Sequence, residues 1–131
     1  MFQYHCRKSK FEAHLAAVST GAQVSWVYRT LLQDKRIARA SHNVVSWRYF
    51  DENKQVQCSD NDDDGEAGAG NRLAEMMHLM GANGVFVMVS RYYGGVHLGP
   101  DRFKHFNNCA RELLDAGGFR KEKLGKGKKK K

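Results

Sequence analysis

Val85-Phe86-Val87-Met88-Val89 is the longest unbroken apolar stretch in this 131-residue chain. A bilayer span needs about 20 apolar residues, so the run is no membrane helix and reads as a fully buried central strand. The rest of the chain must supply what buries it. Phe11, Ala13, Leu15 and Ala17 alternate with Glu12, His14 and Ala16, the two-residue period of a half-buried strand. After Gly21, residues Val24, Val27, Tyr28, Leu31 and Leu32 take the spacing of one helix face, ending near Asp34. Val45, Trp47 and Tyr49 mark a second strand. Asp51 to Lys54 forms a hairpin turn, and Gln55 to Ser59 a short third strand.

A polar, glycine-rich loop runs from Asp60 to Gly70, and a helix from about Asn71 presents Leu73, Met76, Met77 and Met80 on one face until Gly81. A second glycine-rich loop, Arg91 to Gly99, follows the central strand. Pro100 is placed at the first helical position, with Phe103, Phe106, Ala110, Leu113 and Leu114 turned inward and Gly117-Gly118 closing the helix. The order β-α-β-β-α-β-α predicts an α/β (α+β) two-layer sandwich, one sheet with helices on one face. Patterning alone favours a ferredoxin-like split βαβ topology.

Composition limits the function classes. Hydrophobic residues make up 41% and charged residues 27%, an ordinary globular balance for one domain. Met1 to Lys10 carries charges and no apolar core, so a secretory signal is not expected and the localisation is read as cytoplasmic. Cys6, Cys58 and Cys109 are scattered without a CxxC pair, which argues against a disulfide framework or a zinc site.

The net charge of +8 is unevenly spread. Arg120, Lys121, Lys123, Lys126, Lys128, Lys129, Lys130 and Lys131 face one acid, Glu122, and leave residues 1–119 close to neutral. Almost no apolar side chain accompanies them, so residues 120–131 are expected to be a disordered, polyanion-binding tail. Such a tail can hold RNA or ribosomes by counterion release. No aromatic follows Phe119 to stack on bases.

The two glycine loops are the candidate recognition surface, because glycine permits close backbone approach and charged side chains flank both. Asp60-Asn61-Asp62-Asp63-Asp64-Gly65 matches the first half of a calcium loop, but Asn71 stands where the bidentate glutamate is required. Its aspartates are expected to make turns and cap the next helix, with Arg72 or Arg91 balancing their charge. Ser90 to Asp101 follows a strand and opens a helix, yet is neither a dinucleotide fingerprint nor a Walker loop. His42 with Asp63, Asp64 or Glu66 offers acid–base chemistry in principle. Adjacent Ser41 and His42 should point to opposite faces of a strand. No catalytic residue, metal ligand or cofactor is therefore assigned.

Phe11-Glu12-Ala13-His14-Leu15, Ala40-Ser41-His42-Asn43, Asp63-Asp64-Gly65-Glu66 and Gly70-Asn71-Arg72-Leu73 occur in the order seen in the IMPACT family. Ser90 to Gly95, Leu98 to His105 and Asn107 to Arg111 continue that order. The chain resembles the family's ancient domain, and its lysine-rich end is similar to that of eukaryotic members. Bacterial relatives of the YigZ type usually carry a proline where Ala67 stands here. The resemblance implies a mixed sheet with a left-handed β-α-β crossover, as in a small-subunit ribosomal protein and elongation factor G. That supersedes the ferredoxin-like expectation.

The resemblance further implies regulation of translation. Eukaryotic members compete for the ribosome-associated activator of the starvation-responsive initiation-factor kinase, and they bind actin. Those proteins place an RWD domain first, whereas about nine residues precede the first matched strand here. The expected organisation is a short extension over 1–9, an ancient domain over 10–119 and the tail over 120–131. The expected binding surface comprises His42, Asn43, Asp63, Asp64, Glu66, Arg72, Arg91, Tyr92, Tyr93, Gly94, Gly95 and Arg102. The leading reading is a non-enzymatic regulator acting by protein binding near the ribosome, without membrane insertion. An RNA- or ribosome-binding module is the alternative, and a hydrolase or nucleotide-binding enzyme using the acidic loop is a third reading.

Overall fold

The computed structural model describes residues 2–6, 9–93 and 99–121, with side chains from Lys10 onward. Five strands form one sheet: β1 (Phe2–Cys6), β2 (Ser9–Ala17), β3 (His42–Asp51), β4 (Val56–Asp62) and β5 (Val85–Tyr92). Their spatial order is β1-β2-β5-β3-β4. Among the described residues there are four helices, α1 (Gly21–Leu32), α2 (Lys35–Ala38), α3 (Ala69–Met80) and α4 (Asp101–Ala116).

The apolar run does sit at the centre, between β2 and β3. Its alternation splits the core in two. Val85, Val87 and Val89 join Phe11, Ala13 and Val44 under Leu73, Met77, Phe106 and Leu114 of α3 and α4. Phe86 and Met88 turn the other way, with Val45 and Tyr49 against Val24 and Val27 of α1 and Ile37 of α2. Phe86 lies 6.0 Å from Trp47 in a stacked arrangement, and Phe11 meets Phe106 edge-on at 5.0 Å.

The α/β class therefore holds, with two corrections. Helices cover both faces rather than one, because a strand apolar on both sides must be sealed on both. The sheet is antiparallel at every pairing rather than mixed. Parallel strands are never neighbours: β2 runs parallel to β3 across β5, β5 to β4 across β3, and β1 to β5 across β2. The β2-α1-α2-β3 and β4-α3-β5 connections step the same way relative to strand direction but cross opposite faces. They must differ in hand, so one of them is the left-handed crossover, against the usual preference.

Several boundaries move. The stretch read as an extension supplies β1, which pairs antiparallel with β2. The third strand continues to Asp62 and the central strand to Tyr92, so both glycine loops begin later than expected. Pro100 precedes the first helical residue of α4 instead of occupying it. Local chemistry closes the helices. Thr20 accepts from the Gln23 amide at α1, and Asp34 accepts from Arg36 and Ile37 at α2. Gly81 ends α3 at φ 72°, with the Ala82 amide donating to the Met77 carbonyl at 3.0 Å.

Candidate functional site

His42 and Arg91 are direct partners in the β3–β5 register. Both face the side covered by α3 and α4, since Val44 and Val89, two residues away on each strand, belong to that core. A cavity of about 460 Å³ opens there, lined by Ser41, His42, Glu66, Arg91, Tyr93, Gly99 and Arg102.

Glu66 is its centre and is only 5% exposed. Arg91 Nη1 donates to one carboxylate oxygen at 2.8 Å, and Arg102 Nε to the other at 2.6 Å. His42 Nε2 lies 3.9 Å from Glu66 Oε2. His42 Nδ1 is 2.8 Å from the Asp64 carbonyl, which only accepts, so the proton of neutral His42 sits on Nδ1. The Nε2 lone pair is left on the Glu66 side. Arg102 also donates from Nη1 to the Gly99 carbonyl at 2.8 Å, and its guanidinium lies over the Phe103 ring at 4.6 Å.

The acidic loop is shaped by its own backbone. Asp63 accepts from the Gly68 amide at 3.0 Å and the Gly70 amide at 2.6 Å, capping α3 as the sequence suggested. A Cβ at Gly70 would run into the Asn61 and Asp63 side-chain oxygens, so only glycine lets the loop close on the helix. Asp64 accepts from the Asn43 amide at 2.7 Å, and its own amide donates to Asp62 at 3.1 Å. Asn43 is buried on the opposite face, donating to the Ile37 carbonyl at 2.9 Å and accepting from Ser90 Oγ at 2.6 Å. These residues hold the cavity wall without lining it.

The expected surface is thus divided. His42, Glu66, Arg91, Tyr93 and Arg102 converge. Arg91 balances the buried Glu66 rather than the aspartates of the loop. Arg72 lies on α3 over the Phe103 ring at 4.4 Å and borders a separate groove with Glu75, Leu79 and Arg111. Tyr92 points to the far face, where its hydroxyl accepts from Arg36 at 3.2 Å. There Arg36 also pairs with buried Glu12 at 2.6 Å, and His14 lies 3.3 Å from the same carboxylate oxygen. Gly94, Gly95 and tail residues Lys123, Lys126 and Lys128 to Lys131 lie outside the described residues. Of the tail, Arg120 pairs with Asp115 at 2.7 Å, and the Lys121 amide donates to the Met80 carbonyl at 3.0 Å.

Two lining residues lie outside the expected set of binding residues. Ser41 precedes β3 rather than lying on it, so strand alternation does not separate it from His42. Its hydroxyl accepts from the Tyr93 amide at 3.0 Å. Gly99, at φ 64°, contributes backbone, for which sequence carries no signal beyond the glycine itself.

The family model described as the Impact N-terminal domain matches residues 7–114. The chain belongs to the IMPACT family. Protein IMPACT of Rattus norvegicus is 46% identical over 135 residues, covering 95% of this chain and 43% of that protein. The Protein IMPACT homolog of Schizosaccharomyces pombe is 48% identical over 128 residues, covering 95% and 45%. The chain spans less than half the length of these curated IMPACT relatives. Among solved structures, the two-domain translational regulator Yih1 aligns with a TM-score of 0.64 and 36% identity, over 87% of this chain and 44% of that one. A second structure, of a hypothetical protein, shares the fold at a TM-score of 0.74 with 23% identity, over 87% of this chain and 55% of that one.

Proposed function

We propose that this chain is a non-enzymatic regulator of translation that acts in the cytoplasm by binding protein partners near the ribosome. Its effect is IMPACT-like: it opposes activation of the starvation-responsive initiation-factor kinase by competing for that kinase's ribosome-associated activator. The observation that carries this reading is the match of the family domain across residues 7–114, together with the likeness to a translational regulator at 36% identity. Residues 10–119 act as the binding domain, and residues 120–131 as an electrostatic tether. Actin is a further partner to test on the same grounds. Among the described residues no helix is long and apolar enough to cross a membrane.

The test is a pull-down from cell lysate at moderate salt, using the full chain and a version ending at Phe119. Retention of the kinase activator by both supports the regulator reading. Retention by neither overturns it.

A second reading, attachment to RNA or ribosomes, is favoured by the +8 charge concentrated at the chain's end. RNA affinity with a salt slope of several units that vanishes on tail removal identifies nonspecific attachment. Affinity that survives removal and falls with Arg91 or Arg102 replaced places recognition in the folded domain.

A further inference from the structure

The cavity around Glu66 holds more positive charge than its carboxylate needs. One well-placed arginine satisfies a carboxylate through two parallel bonds. Here two arginines share one acid, each spending a single N–H on it. Arg91 is 6% exposed, yet its Nε has no hydrogen-bond partner among the described residues. A buried guanidinium N–H left unmade is costly in a site with no function. Arg102 stands in the first turn of α4, where the helix dipole disfavours a cation and adds its own positive end to the cavity rim. His42 turns its Nε2 toward the same centre.

We propose that this cavity binds a phosphate monoester, with Arg91 and Arg102 holding the phosphate oxygens and His42 donating from Nε2 when protonated. Arginine pairs suit this geometry because their planar forks match tetrahedral oxyanions. The space of about 460 Å³ takes more than a bare phosphate, and Tyr93, 48% exposed, lines it with a flat ring. The ligand class that fills both features is a nucleoside monophosphate, with its phosphate on the arginines and its base against Tyr93.

The experiment is a titration of the ¹⁵N-labelled full chain with inorganic phosphate and with AMP at constant ionic strength, followed by amide shifts. Both ligands should saturate shifts at His42, Tyr93, Gly99 and Arg102. AMP should bind about tenfold more tightly, the size of one base–aromatic stack. Arg102→Gln should weaken both by at least about tenfold, as loss of a charge-assisted contact does. If that variant does not fold, His42→Gln decides, with a severalfold weakening expected. Shifts confined to residues beyond Phe119, or no saturable shift, would overturn the site. Equal affinity for phosphate and AMP would overturn the nucleotide assignment.

Discussion

Glu66 and Arg91 are 25 positions apart in sequence and meet at 2.8 Å, both almost wholly buried. A strand end and a loop are locked together by this contact, and the second arginine, Arg102, ties α4 to the same point. The pair organises the cavity and makes it vulnerable.

Replacing Glu66 with Gln should destabilise the fold by about 3 kcal/mol, because it strands a desolvated guanidinium. Urea unfolding should show a lower midpoint with an unchanged slope. Adding Arg91→Met to Glu66→Gln should recover part of the loss. A double variant no more stable than Glu66→Gln would mean that Arg91 is paired elsewhere.

Asp63→Ala removes the acceptor of two amides at the start of α3. The expected loss is about 1–2 kcal/mol. Amide exchange at Gly68 and Gly70 should accelerate more than exchange in the middle of α3. Unchanged protection at those two amides would count against the cap.

Burial pulls the His14 imidazole below its usual 6.5, against the pull of the Glu12 carboxylate 3.3 Å away. The unfolded chain therefore binds the proton more readily. Stability from this group is complete above pH 6.5 and is lost as pH falls through 6.5 toward the lower folded value. Stability measured from pH 8 down to pH 5 should fall more steeply for the native chain than for His14→Gln. Identical slopes would refute the assignment.

Burial pushes the Cys109 thiol up to about 12. At pH 8 it holds almost no thiolate, so iodoacetamide should leave Cys109 unmodified in the folded chain and label it in urea. Peptide mass spectrometry reads this directly. Rapid native labelling at Cys109 would show that α4 opens away from the sheet.

Much of the site was legible locally. Glu66, Arg91 and Arg102 stand out because charged residues next to glycine loops contribute little to a core, and His42 because it lies within the Ala40-Ser41-His42-Asn43 motif. Their convergence was not legible, since the β3–β5 register that sets His42 beside Arg91 joins segments 49 positions apart. Tyr92 shows the limit from the other side. It neighbours Arg91 in sequence, but strand alternation sends it to Arg36 on the far face. Asn43 similarly reads as a surface residue and is in fact a buried latch between β3, β5 and the α2 segment.

The amino-acid sequence alone determined four of the five strands and the three longer helices, because hydrophobic period and glycine placement act over a few residues; β1 and the short α2 carry no such period. It also determined the family, through the order of its motifs. Tertiary structure decided how the layers stack and which charges meet. Apolar alternation says that a strand has two buried faces but not which helix covers each. That choice depends on the strand order β1-β2-β5-β3-β4 and on crossovers of opposite hand, which are properties of long-range packing rather than of any local run.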